Sequence, residues 1–264
     1  MKPEDAWGVR WKKSAHPLAH EFMRIACKKE SLVVLAADLP TMDRIKQMVE
    51  LVGSRICALK THVDMIEDFS IGGWADVVDA ARKHGLLLFE DRKFADIGRV
   101  VKTQMGGIYD IQSWADVVTS HSLSGPDVVD GIAEAWDEEE RVGGVLLLAQ
   151  MSSSGNLLDE GYSSRTVQIG TASPHVIGYI GNGSSPRSLE GLREMVGEGK
   201  MIWTPGVNIE AEEGVLGQRY GNPSDAVRSG SDGIIVGSGI HGSLDPLAAA
   251  EQYSSASWRA LLER

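Results

Sequence analysis

Cysteine is nearly absent from this 264-residue chain. The two present, Cys27 and Cys57, show no pairing pattern and no metal-ligand spacing. That argues against a disulfide scaffold and suits a reducing compartment, the cytoplasm. Basic residues are also in deficit: 26 Lys and Arg stand against 37 Asp and Glu, a net charge of −11. A surface of that sign opposes nucleic acid and anionic membrane, so neither is an expected partner. A small anionic substrate would need a local group of cations. No apolar run reaches membrane-spanning length, and Met1–Lys13 lacks a signal-peptide core. Clustered metal-ligand spacing is missing too, so no metal is expected. What is present is a globular composition, 42% hydrophobic and 24% charged, in a chain of ordinary length for an α/β barrel.

Charge gathers in Leu87-Leu88-Phe89-Glu90-Asp91-Arg92-Lys93-Phe94-Ala95-Asp96-Ile97-Gly98. This stretch begins as an apolar strand and ends at a glycine that opens a helical pattern. In an extended chain Asp91 and Lys93 point the same way and Arg92 the other. Asp96 follows in the loop and joins them if the chain turns back. An ammonium fixed between carboxylates is held charged and aimed, ready to donate a proton.

Along the chain, Met1–Ala15 reads as an irregular lead-in and His16–Glu30 as an amphipathic helix. Eight strand–helix units follow. The strands read as Leu32–Ala37, Arg55–Leu59, Leu86–Glu90, Asp116–Thr119, Val145–Ala149, His175–Ile180, Met201–Thr204 and Gly233–Val236. With no linker-like break, the pattern predicts an α/β fold, a single-domain (β/α)8 TIM barrel over residues 1–264. An open doubly wound sheet competes, but it has fewer strands and no G-x-G-x-x-G follows the first one.

Such barrels build their sites at the carboxyl ends of the strands. Asp38, then Lys60 and His62, then Asp91 and Lys93 follow the first three predicted strands; His121 and Ser152 follow the fourth and fifth. Pro205-Gly206-Val207 follows the seventh and Gly237-Ser238-Gly239 the eighth, the usual place for a phosphate. Some of these residues have plainer readings. Asp38 is able to cap the next helix, Ser152 to be a loop residue and Tyr220 an exposed aromatic. His62 and His121 read as structural hydrogen-bonding residues.

Phe89–Gly98 resembles the signature of the eukaryotic-type orotidine 5′-phosphate decarboxylase family, and Leu59-Lys60-Thr61-His62-Val63-Asp64 its second-strand motif. Trp114-Ala115-Asp116, Thr204–Val207, Leu216-Gly217-Gln218 with Tyr220, and Gly230-Ser231-Asp232 through Gly237 extend the likeness in order. The resemblance implies decarboxylation of orotidine 5′-monophosphate to UMP in pyrimidine synthesis without metal or organic cofactor. It implies that Lys93 stabilises and protonates the carbanion, that Asp91 holds Lys93, and that Asp96 reaches the partner's site in a homodimer. Lys60 and Asp38 would hold ribose hydroxyls, with Lys60 also part of the charged network. Ser152 would meet the pyrimidine, and Gln218 and Tyr220 would close over ring and phosphate, beside Pro205, Gly237, Ser238 and Gly239.

The chain departs from the family pattern at the phosphate. Ser238 stands where the family has an arginine, and a hydroxyl does not replace a bidentate guanidinium. Arg187 and Arg219 are the candidate substitutes. Val100, Gln150 and Ser122 replace a common Thr, Glu and Gly. Two alternatives therefore stay open: a related decarboxylase for a non-phosphorylated or differently decorated pyrimidine nucleoside, and a non-catalytic nucleotide-binding barrel.

Overall fold

Each apolar run is long enough for one strand buried on both faces, the pattern that parallel sheets require. The computed structural model, described over residues 1–210 and 219–264, closes these runs into a barrel in chain order: β1 (Val33–Ala36), β2 (Ala58–Thr61), β3 (Leu87–Phe94), β4 (Val117–Ser120), β5 (Gly144–Leu148), β6 (Val176–Ile180), β7 (Met201–Thr204) and β8 (Gly233–Val236). All neighbours are parallel, and β8 returns to β1 with Val34 opposite Ile235. The predicted barrel is the observed one.

Two strands run further than their apolar runs. The sequence pattern ends β2 at Leu59, but the strand includes Lys60 and Thr61; it ends β3 at Glu90, but the strand continues to Phe94. Charge does not end these strands because it points into a polar cavity above the core. Below that cavity the barrel is filled. Phe89 of β3 and Trp203 of β7 meet across it with ring centroids 5.4 Å apart.

The amino-terminal end is closed by α3 (Pro17–Lys29), whose Phe22 packs 4.8 Å from Trp203. Its Lys29 ammonium donates to the carbonyls of Gly53, Ile56 and His84, gathering the loops beneath β2 and β3. The expected irregular lead-in is instead two short helices, α1 (Pro3–Trp7) and α2 (Val9–Lys13). Five-residue helices carry no readable period and persist through tertiary contacts, here through buried Trp7 and Arg10.

The aspartates of two recognised motifs are structural, and they occupy matching places. Asp116 precedes β4, accepts Leu88 N–H of β3 at 2.8 Å and is gripped by Arg82 at 2.6 Å and Arg141 at 3.0 Å. Asp232 precedes β8, accepts Ile202 N–H of β7 at 2.9 Å and is gripped by Arg193 at 2.6 Å, Arg264 at 3.1 Å and Arg10. Arg82 also holds Trp114 O, and Arg193 holds Gly230 O, in each case two residues before the aspartate. Each half of the barrel thus ties its third and fourth strands together by the same device.

Candidate active site

At the carboxyl ends of β1, β2 and β3 the side chains form an alternating row of charge. Lys60 Nζ lies 3.6 Å from Asp38 and 3.2 Å from Asp91, and Lys93 Nζ lies 2.8 Å from the same Asp91 Oδ2. His62 Nε2 sits 2.9 Å from Lys60 Nζ, so this histidine belongs to the network. Burial by itself would push the Asp91 carboxyl up, but Lys60, then Lys93 and His62 outweigh it and hold it at about 2. Burial would push Lys60 down, and Asp91 and Asp38 reverse that. Both groups therefore stay ionised at neutral pH. Burial, followed by the Lys60 charge, lowers His62 and keeps it neutral there.

Asp91 and Lys93 do meet, though not along a plain extended strand. The β3–β4 register shifts between Glu90 and Phe94, and Lys93 takes φ of +52°. A left-handed lysine costs about 1–3 kcal/mol and is held there by its surroundings. Arg92 turns outward to Asp64 at 3.3 Å.

Glu90 lies beneath this row, fully buried, and accepts from Thr61 Oγ1 at 2.8 Å and from Val63 N–H. Burial pushes its carboxyl up from 4.5 to about 8, against Thr61, Val63 and Lys60. The folded chain thus keeps a proton there that the unfolded chain releases, so Glu90's own contribution to stability should fall as pH rises from about 4.5 to about 8. Glu90→Gln is expected to remove this decline. The Tm of the wild type relative to the variant should fall between pH 5 and pH 8, and a difference between the two proteins that does not change with pH would refute it. His62, Asp64 and Glu90 are close enough to share a metal ion, yet each is already engaged, by Lys60, Arg92 and Thr61. They fit a cation poorly.

A cavity of about 440 Å³ opens above the row. Asp38, Lys60, Asp91 and Lys93 form one side. Ser152, Pro205, Tyr220, Gly237, Ser238 and Gly239 form much of the rest, so the structure gathers these predicted residues in one place. Asp38 does not cap the next helix, α4 (Met42–Val52); Thr41 does, accepting Arg44 N–H. Tyr220 reaches the cavity because Gly221 N–H donates to Gly206 O and Asn208 N–H to Gly221 O, folding that segment back on the exit of β7. Gly206 has φ of +75°, and a Cβ there would stand 2.6 Å from that of Ser152. Only glycine fits that turn.

Three expectations end elsewhere. Gln218 lies outside the described residues. Asp96 does not turn back to join Asp91 and Lys93 within the chain. Its carboxylate accepts Ile97 N–H at 2.7 Å, its side chain is exposed, and it faces an adjoining hollow lined also by Arg92, Lys93 and Gln104. The strand's continuation to Phe94 carries it past the cavity. Neither proposed arginine lines the cavity: Arg187 borders a neighbouring hollow, and Arg219 is exposed with Nε 3.5 Å from Ser152 O. Sequence reading missed His241, Asn208 and Met151, which do line it. His241 sits on a four-residue helix (Ser238–His241), too short to announce itself.

A closed parallel barrel carrying this carboxylate–lysine row at the carboxyl ends of its strands defines a (β/α)8 protein with a charged candidate site. The chain belongs to the orotidine 5′-phosphate decarboxylase / HUMPS family, whose model matches residues 31–253. It is 40% identical to the orotidine 5′-phosphate decarboxylase of Maudiozyma exigua over 95% of this chain and 93% of that protein. It is also 40% identical to the uridine 5′-monophosphate synthase of Bos taurus over 94% of this chain, which spans 50% of the bovine protein. Among solved structures, the orotidine 5′-monophosphate decarboxylase of Methanocaldococcus jannaschii complexed with the inhibitor BMP superposes with a TM-score of 0.69. At 20% identity, over 86% of this chain and 98% of that one, this likeness speaks for the fold.

Proposed function

We propose that this chain decarboxylates orotidine 5′-phosphate to UMP, with no metal or organic cofactor. The observation that carries the reading is the row Asp38–Lys60–Asp91–Lys93 on the cavity wall. Cleavage of the C6–carboxylate bond leaves its electron pair on C6 and releases carbon dioxide. The ammonium of Lys93 lies ready to stabilise that pair and transfer a proton to C6, and solvent restores the ammonium. Asp91, ionised and held from behind by Lys60, fixes where the ammonium sits. Fixed charge placed where charge develops is the strongest means of catalysis open to such a site. In this reading Asp38 and Lys60 hold the ribose and Ser152 meets the pyrimidine edge, and their shared place on the cavity wall supports it.

The exposed carboxylate of Asp96 supports a homodimer in which it serves the partner's site. Exposed Ile97 and Leu123 lie on adjoining loops tied by Ser124 Oγ donating to Asp96 O at 2.8 Å. Such apolar side chains favour a covered surface. The cytoplasm is the compartment we assign, from two buried free thiols. Among the described residues no helix is long and apolar enough to cross a membrane.

A second reading rests on one observation: among the described residues, none lining the cavity is an arginine. A substrate without phosphate, or with another tail, fits that wall. Steady-state turnover of orotidine 5′-phosphate beside orotidine decides between them. Much faster turnover of the phosphate ester supports the first reading; equal or faster turnover of the nucleoside supports the second; no turnover of either overturns both readings for these two substrates. Ser238 is exposed at the cavity rim with room for a longer side chain. Ser238→Arg should therefore lower KM for the phosphate ester on the order of tenfold or more, the scale of a hydrogen bond to a charged group. An unchanged KM would mean the phosphate is held elsewhere.

A further inference from the structure

We infer that Thr119 is a positioning residue for the Asp91–Lys93 pair, its one hydroxyl setting the carboxylate and the lysine backbone at the same time. The inference rests on the function proposed above for its catalytic consequence, and on geometry alone for its structural part.

Thr119 is the third residue of β4 and is fully buried. Its Oγ1 donates to Asp91 Oδ1 at 2.7 Å and accepts from Lys93 N–H at 2.9 Å. The direction of both bonds is fixed by chemistry. An ionised carboxylate only accepts and a backbone N–H only donates, so the hydroxyl spends its proton on Asp91 and a lone pair on Lys93. Turning the hydroxyl to serve one partner alone would abandon the other.

The local backbone explains why a side chain is needed there. Regular β3–β4 pairing stops at Glu90 opposite Val118 and resumes at Phe94 opposite Ser120. Beyond the gap, His121 N–H and Ser120 Oγ both donate to Phe94 O. Within it Lys93 adopts φ of +52°, a conformation that a lysine rarely holds, and its N–H has left the strand ladder. Thr119 Oγ1 takes that N–H. The same oxygen holds the Asp91 carboxylate oxygen not used by the lysines, leaving Oδ2 for Lys60 and Lys93. Orientation of the carboxylate and torsion of the lysine are therefore set together, from a strand that contributes none of the ionised groups.

The test uses Thr119→Val, which keeps shape and removes the hydroxyl, and Thr119→Ser, which restores it. Kinetics on orotidine 5′-phosphate should show kcat reduced on the order of 10²-fold in the valine variant with KM and UMP binding little changed, the scale of a small misplacement of reacting groups. Serine should recover most of the loss. Wild-type kcat in the valine variant overturns the inference. So does loss of UMP binding in parallel with kcat, because the residue would then shape the cavity as a whole. A crystal structure of Thr119→Val supplies a readout that needs no turnover. Relaxation of Lys93 out of the left-handed region is expected, and retention of its torsion with Asp91 unmoved overturns the inference. If wild type and Lys93→Ala are equally inert on this substrate, the functional reading fails, and the torsion still decides the role of Thr119.

Discussion

Lys93→Ala should abolish decarboxylation of orotidine 5′-phosphate while leaving the protein folded and able to bind UMP. Lys93 is asked to do two things, stabilise charge at C6 and supply the proton. Losing an electrostatic donor costs about 10²–10³-fold and losing a general acid about 10²–10⁴-fold, so a combined loss of about 10⁴-fold or more is expected. The fold should survive because Asp91 keeps Lys60 at 3.2 Å and the Thr119 hydroxyl at 2.7 Å. The buried carboxylate is thus never left without a partner. Steady-state kinetics, with UMP titration as the check on folding, measures it. Retention of even a tenth of wild-type kcat would sink the assigned role of Lys93.

The largest expected effect on stability lies at the other end of the barrel. Asp232→Ala removes the carboxylate that Arg10, Arg193 and Arg264 share, and leaves Ile202 N–H without its acceptor. Burial draws Arg193 and Arg264 down to about 10, so both remain charged at neutral pH and would face each other uncompensated. Glu198, 3.5 Å from Arg10, answers one of the three charges. Breaking a buried pair by removing one partner costs about 3–5 kcal/mol, which at this chain length lowers Tm by on the order of 10 °C. Asp232→Asn, which keeps an acceptor for Ile202, should cost less. Since this cluster lies beneath the barrel and the site above it, kcat of the folded fraction should be unchanged. A shift in Tm of a degree or two would show that the arginines are satisfied by the carbonyls of Gly197, Gly230 and Val227 alone.

These two aspartates show how far a motif read in sequence reaches. Asp91 and Asp232 both stand in recognised strings, and nothing in the strings separates a charge beside the cavity from a charge that clamps strand ends. The difference is position in the barrel. Asp91 lies at the carboxyl end of β3, where the site forms, and Asp232 precedes β8 at the opposite face. Arg10 belongs to a segment read as irregular, yet it supplies one of the three guanidiniums.

The eight-fold alternation of strand and helix was legible because it is local: a strand buried on both faces shows as an apolar run, and its helix as a 3.6-residue stripe. β7 and β8 match residue for residue. The charged row was legible too, since Asp38, Lys60, Asp91 and Lys93 each follow or end a run. What local pattern does not carry is register. Asp91 meets Thr119 across 28 positions of chain, and the strained turn at Lys93 exists only because β4 pairs again at Phe94. His241 enters the cavity through a single short turn after β8, while Asp96, close behind Asp91 in sequence, is carried out of it by the strand's continuation. Partners so far apart in sequence are set by how the strands align as the barrel closes, and that alignment is a property of the closed sheet rather than of any one strand.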